Sequence, residues 1–520
     1  MKNNHSNKER YGSVMLFNSI NFLLFFPFVS VIYYLLPKRV RYIWLLICSY
    51  YFYMSWGKKQ GLLLFGVTFI TYLSGRILDR LKSKDILDVK ILKTKKICLC
   101  ITLILNLILL CYFKYLNYFV ETLNRIIGKW QLGEGISIAE VVLPVGISFY
   151  IFQALGYVID VYRDEVYAEK NFLKYALFIS FFPQLVAGPI ERSKNLLRQL
   201  GKPQSFSFEN LQRGFLLMLW GFFLKMVIAD RAAIIVNTVY GDCTTYYGMY
   251  IVFATCLFAV QIYCDFYGYS TIARGAALIL GFHLTDNFKA PYFAKNIKEF
   301  WQRWHISLTQ WFRDYLYIPL GGNRKGPVRK RINLLFVFMV SGLWHGSGLS
   351  YVVWGLLNGI YQVVSDVWKP VFQRIYSTFG KDEITKSKPE KKNEFEKNLL
   401  KRLCTFFLVS FTWLFFRSGG FNSALILMQR MAHFNWTIFL DHSLYSLGVT
   451  EGYFRVLCYS IILLFVIDYK KYMGMNVIEK FMGLSWWVRI PTEMLLIFTI
   501  LLFGCYGELY DATQFIYFQF

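Results

Sequence analysis

Apolar residues in this chain come in long runs separated by short polar loops. Taking about 15 to 22 residues as one crossing of a bilayer, spans are expected near 16–36, 43–56, 60–75, 97–115, 142–160, 213–229, 248–264, 332–346, 351–370, 402–418, 454–468 and 490–506. Two further apolar stretches, 175–190 and 271–282, contain proline or glycine and read as re-entrant or half-buried helices. Such segments are tolerated at membrane depth only where protein shields their backbone from lipid. The pattern predicts an all-α polytopic membrane protein in the plasma membrane.

Composition agrees with the pattern: 56% of the 520 residues are hydrophobic and 17% charged, and the mean hydropathy is +0.39. A formal net charge of +25 would suggest nucleic acid in a soluble chain. Here the basic residues gather in loops between apolar runs, so the charge reads as topology, with membrane lipid and no nucleic acid as the partner. Loop 76–96 carries eight Lys or Arg against three Asp, which places it in the cytoplasm. The Lys- and Glu-rich segment 371–398 goes there too, and alternation puts 285–331 on the same side and both termini outside. Ten cysteines are scattered without a CxxC pair, so neither a disulfide framework nor a zinc site is expected. Residues 1–14 form a polar extension before the apolar run that starts at Met15. No cleavable signal sequence is expected there, because the run is long and stopped by Lys38, Arg39 and Arg41. The organisation expected is therefore a core over 15–370, the charged linker 371–398, further spanning helices over 399–506 and a tail at 507–520.

One stretch breaks the apolar pattern: FWQRWHISLTQWFRDYLYIPLGGNRKG, residues 300–326. On a helical wheel Trp301, Trp304, His305, Leu308, Trp311, Phe312 and Tyr315 share one face, with Arg303, Gln310, Arg313 and Asp314 opposite. This predicts an interfacial helix with His305 turned inward, and Glu299 four residues before Arg303 suits an ion pair along it. His305 is then either a satisfied core residue or a functional one. The turn that follows, PLGGNRK, has backbone amides and two cations, Arg324 and Lys325. It reads either as a phosphate cradle or as a charge anchor.

The next run, RINLLFVFMVSGLWHGSGLSYVVWG, carries His345. Helical rise puts it about 21 Å from Arg331, inside a hydrocarbon core of about 30 Å. An ionisable group at that depth is expected to be functional; a hydrogen bond across helices is the other reading, but it would not need the room for a reacting group that the glycines after His345 suggest. A histidine suits proton transfer near neutral pH. His5, His283, His433 and His442 have no such setting. No GxSxG, HExxH or Walker sequence accompanies these histidines, so hydrolase, metalloprotease and nucleotide-driven pump readings lack support.

RWHISLTQWFRDYLYIPLGGNR, SGLWHG, LPVGISFYIFQALGYVIDVYR and FFPQLVAGPIER together resemble the membrane-bound O-acyltransferase (MBOAT) family, in its bacterial alginate O-acetyltransferase branch. The D-alanyl transferases of teichoic acid synthesis are a near relative. The resemblance runs from MLFNS at Met15 to the terminal FIYFQF. It implies a ring of about 11–12 transmembrane helices, with re-entrant and interfacial helices, around a central funnel and tunnel. It also implies His345 as catalytic base and His305 as its companion in the site. The donor implied is a thioester, acetyl-CoA or an acyl carrier protein, with no tightly bound cofactor and no metal. The acceptor implied is an exported polysaccharide or cell-wall polymer, reached through an extracytoplasmic hydrolase-like partner. The F-x-Y pattern at Phe515 and Tyr517 resembles a motif whose tyrosine is proposed to carry the acyl group; a simple apolar tail is the other reading. A non-catalytic polymer exporter would spread polar residues along several spans, whereas here they cluster in two motifs.

Overall fold

A computed structural model describes residues 14–82, 88–131, 135–139, 141–379, 398–433, 435, 436, 438, 440–506, 515 and 516, with the backbone alone at 369–379. Most of the N-terminal extension, most of the 371–398 linker and Tyr517 lie outside the described residues. Every regular element among the described residues is a helix. In chain order the main ones are α1 (Ile20–Leu35), α2 (Arg41–Met54), α3 (Lys58–Lys82), α4 (Val89–Trp130), α5 (Ile147–Tyr162), α6 (Phe172–Ser180) and α7 (Phe208–Phe222). There follow α8 (Asp230–Gly241), α9 (Met249–Ile279), α10 (Ile297–Arg303), α11 (Ile306–Phe312), α12 (Gly326–His345) and α13 (Leu349–Phe379). The last are α14 (Leu399–Arg417), α15 (Phe421–Met431), α16 (Glu451–Tyr472) and α17 (Trp486–Phe503). A helix stands at each span expected from the sequence. Six of them, α3, α4, α9, α14, α16 and α17, are long and apolar enough to cross a membrane. On α17, Leu495, Phe498, Leu501 and Leu502 are exposed, the pattern of a helix that faces lipid. This is an all-α polytopic membrane protein.

The two stretches expected to be re-entrant behave differently. Residues 175–190 are buried throughout, with α6 followed by a short helix, Phe182–Leu185, that opens on Pro183. Residues 271–282 do not form a separate segment: up to Ile279 they are the end of the 31-residue helix α9. Of its two glycines, Gly281, at φ 89, lies in the turn that ends the helix, and Gly275 is a contact point. A Cβ on Gly275 would lie 2.5 Å from the Gly214 carbonyl oxygen, and one on Gly221 2.6 Å from the Gly268 carbonyl oxygen. Small residues let α7 and α9 pack backbone to backbone, which is how helices associate where lipid removes the hydrophobic drive.

The chain divides into two compact units. The first comprises Met1–Phe222, Gly268–Asp286 and Tyr506–Phe520. Interhelical hydroxyls tie it together: Ser74 and Thr102 share a hydrogen bond of 2.6 Å between α3 and α4, and the Tyr175 hydroxyl donates to Thr71 at 2.8 Å. Phe515 is buried in this unit against the Tyr269 ring, at 4.7 Å between centroids.

The second unit comprises Phe223–Tyr267 and Asn287–Cys505. A π-helical turn, Phe223–Ala229, begins it. In that turn Lys225 Nζ sits 2.7 Å from Asp230 Oδ1 and 2.6 Å from Asp265 Oδ1, all three side chains buried. Next to them Arg231 donates to the Phe503 carbonyl and lies over the Tyr453 ring. Two cations thus balance two carboxylates where water cannot. Removing one partner from such a cluster leaves a buried charge uncompensated. Lys225→Met should therefore lower stability by about 3–5 kcal/mol, read as a fall in the unfolding temperature in detergent. Lys225→Arg should keep most of it.

Candidate active site

The second unit builds its polar centre around a break in the 300–315 segment. The helix expected there is two helices of 7 residues each, α10 and α11, with His305 between them at φ 42 and ψ 55. The left-handed conformation is uncommon for a residue with a Cβ and persists only where neighbours impose it. Asn287 imposes it: its carbonyl accepts from Ile306 N at 3.1 Å and its side chain from Ser307 N at 3.2 Å. Lys289 and Arg303 add a reciprocal pair, through Lys289 N to the Arg303 carbonyl and Arg303 Nη1 to the Lys289 carbonyl. The sidedness expected of one helix survives the break. Trp301, Trp304, His305, Leu308, Trp311, Phe312 and Tyr315 are all buried, while Arg313 is exposed. The Glu299–Arg303 ion pair forms at 2.9 Å.

His345 is the last residue of α12 and is 4% exposed. Its position is set by the way α12 meets α13. A Cβ on Gly342 would lie 2.2 Å from the Tyr351 carbonyl oxygen, and one on Gly355 2.2 Å from the Phe338 carbonyl oxygen. Only glycine at both places lets the two backbones touch. Gly346, which the sequence suggested as open room, faces the Tyr351 ring, 2.2 Å from where its Cβ would stand. The glycines therefore serve close packing, and the ring of Tyr351 occupies that space.

Aromatic rings enclose the imidazole. Trp354 and Phe416 meet His345 edge to face at 5.1 and 5.3 Å, and Trp344 lies at 4.8 Å. Trp344 is also 6.3 Å from His305, whose other face meets Phe266 at 4.6 Å. The two motif histidines thus flank one indole ring. Behind them Trp354 stacks on Trp413, and Trp301 Nε1 donates to Asn358, which in turn donates to the Trp354 carbonyl. The buried indole N–H groups of Trp354 and Trp413 have no acceptor among the described residues.

Asn358, Trp354, Trp413, Phe416 and Phe266 were not singled out in the sequence. Asn358 alone gave a signal, an amide inside the apolar run YVVWGLLNGIYQVV. Arg324 and Lys325 are exposed on the turn that precedes α12. The whole of that helix, about 29 Å at its rise per residue, separates them from His345. Asn333 closes the same turn through hydrogen bonds to the Leu320 and Gly322 carbonyls.

The membrane-bound O-acyltransferase family profile matches residues 86–385, which include both histidine motifs. The chain belongs to this family. It is 35% identical over 434 residues to the probable alginate O-acetylase AlgI of Pseudomonas putida, covering 82% of each chain. It is 30% identical to the peptidoglycan O-acetyltransferase of Helicobacter pylori, over 81% of this chain and 80% of that one. The teichoic acid D-alanyltransferase of Bacillus subtilis is 30% identical over 42% of this chain and 57% of its own. The protein is an acyltransferase integral to the membrane.

In this acyltransferase the His305 imidazole has no solvent to steady a charge. Burial pushes its pKa down to about 3, from an ordinary value near 6.5, so it is neutral throughout the physiological range. Groups of three or more metal-ligating side chains are absent among the described residues. A histidine kept neutral in the folded state gains its proton only on unfolding. The folded state therefore loses stability as pH falls below 6.5, and the loss levels off below about 3. Thermal unfolding measured between pH 7.5 and 4.5 should show that decline, and His305→Gln should flatten it.

Proposed function

We propose that this acyltransferase carries an acetyl group from a cytoplasmic thioester, acetyl-CoA or an acyl carrier protein, to hydroxyls of an exported polysaccharide of alginate or cell-wall type. The observation that carries the reading is the pair of buried imidazoles on either side of Trp344, in an aromatic cage at the end of α12. Such a cage strengthens proton transfer and excludes hydrolysis of the thioester. His345 takes the proton of the acceptor hydroxyl as its oxygen attacks the thioester carbon. The new C–O bond forms, the C–S bond breaks, and the proton passes to the leaving sulfur. Neutral His305 is a poor base and serves as a hydrogen-bond donor that positions the acyl carbonyl. The buried indole N–H groups of Trp354 and Trp413 are further donors in the same shell, of the kind that steady a developing oxyanion.

Arg324 and Lys325 lie at the other end of α12 and suit the phosphates of the donor at the membrane surface. The tail supplies a second acceptor. Phe515 is anchored in the first unit, and Tyr517, two residues on, takes the acyl group and hands it to an extracytoplasmic hydrolase-like partner, splitting transfer into two steps. D-alanyl transfer is the second reading. It is weaker because the D-alanyltransferases match 42% and 54% of the chain, whereas the O-acetylases match 67% to 82%.

His345→Ala should insert normally and lose polymer acetylation by at least about 100-fold, measured as ester-linked acetate released by mild base. Retained acetylation would remove His345 from the role of base. Tyr517→Phe deletes one hydroxyl and little volume. Loss of transfer is expected, and unchanged acetylation would dispose of the relay while leaving direct attack in place.

A further inference from the structure

A cavity of about 310 Å³ in the first unit is lined by Lys38, Arg39, Arg41, Lys174 and Lys202, and its lining contains no acidic residue. Other basic residues of this unit are paired: Lys82 and Lys95 with Asp164, Lys194 with Glu165, Arg213 with Glu209. Among the described residues the five cavity residues have no such carboxylate. Like charges gathered around one space repel unless an anion shares it with them.

The cavity is also built. Arg41 is held by the carbonyls of Leu36 at 3.0 Å, Gln204 at 2.6 Å and Tyr34 at 2.8 Å, and its guanidinium lies over the rings of Tyr33 and Tyr34. Lys174 Nζ lies over the Tyr42 ring at 5.6 Å, and Asn171 donates to the Tyr42 hydroxyl. This scaffold leaves Lys38, Arg39 and Lys202 exposed at the rim. Its place along the membrane normal follows from α3. The Tyr72 hydroxyl donates to the Lys170 carbonyl, and Lys82 pairs with Asp164. The start of α6 is thereby fixed to the end of α3 that leads into the basic 76–96 segment, the side that the charge rule assigns to the cytoplasm.

We propose that this cavity is a phosphate site at the cytoplasmic membrane surface, holding either the headgroup phosphate of an anionic phospholipid or the phosphate of a soluble ester. Arginine with lysines around a concave, acid-free space is the chemistry that recognises phosphate, and basic pockets between helices on this side suit anionic lipid headgroups. The site does not depend on the acyl-transfer chemistry, since none of its residues is assigned to that chemistry above.

The test uses the full-length protein in nanodiscs and a variant carrying Lys38→Gln, Arg39→Gln, Lys174→Gln and Lys202→Gln. Arg41 is kept because three carbonyls depend on it. In one arm, discs of phosphatidylcholine doped with phosphatidylglycerol are followed by native mass spectrometry for retained lipid. In the other, discs of phosphatidylcholine alone are titrated with inorganic phosphate and with coenzyme A. The wild type should bind in at least one arm, and each charge removed should cost about fivefold in affinity. Retained phosphatidylglycerol that inorganic phosphate does not displace identifies a lipid. Binding confined to the second arm identifies a soluble ester. A wild type that binds in neither arm, or a variant that binds as well as the wild type, overturns the proposal. An unchanged unfolding temperature verifies the variant's fold, and if it falls, Lys174→Gln and Lys202→Gln are read singly.

Discussion

The contact of two backbones at Gly342 and Gly355 governs the geometry of the site. A methyl group at either position would overlap a carbonyl oxygen of the facing helix, so α12 and α13 approach as closely as polypeptide permits. That approach brings Trp354 against His345 and lets the Tyr351 ring close over Gly346. In lipid, where apolar surface gains nothing by leaving one hydrocarbon for another, close packing and hydrogen bonds are the forces available. The same device recurs in the first unit at Gly214 and Gly275, and at Gly221 and Gly268. Helix contacts of this kind are stiff, because no side chain remains to adjust.

A second constraint is the cost of charge away from water. The second unit meets it in two ways. Lys225 is neutralised by Asp230 and Asp265, a pairing that binds the π-helical turn to α9. His305 is kept uncharged by burial alone. The two solutions suit different roles, since a paired ion is fixed in structure whereas a neutral imidazole keeps its donor and acceptor. Backbone strain at His305 is borne by Asn287, whose amide and carbonyl hold the left-handed turn.

Much of this was legible in the sequence. Hydropathy located a helix at each expected span, and the two histidines stood out because an apolar context makes polar residues conspicuous. The inward sidedness of Trp301, Trp304 and His305 also followed from spacing. What spacing could not show was the break at His305, because its cause is Asn287, 18 residues earlier, whose backbone carbonyl and side chain each accept a hydrogen bond there. The 271–282 stretch was misread for a related reason. Glycine signals a break in an isolated helix, yet against a facing glycine it signals contact. Gly346 likewise read as open room, and Tyr351, which fills it, comes from the following helix. The aromatic cage was hidden because Trp354, Trp413 and Phe416 are ordinary residues for apolar helices; tertiary packing alone makes Trp354 and Phe416 neighbours of His345 and stacks Trp413 behind Trp354.

On the reading proposed above, the two histidine motifs form one acyl-transfer centre serving an exported polymer. The most direct test is to compare cells with and without this chain by mass analysis of alkali-labile groups on their surface polymers. Ester-linked acetate should disappear with the chain and return when it is restored. Loss of ester-linked D-alanine instead, with acetate unchanged, would contradict that reading.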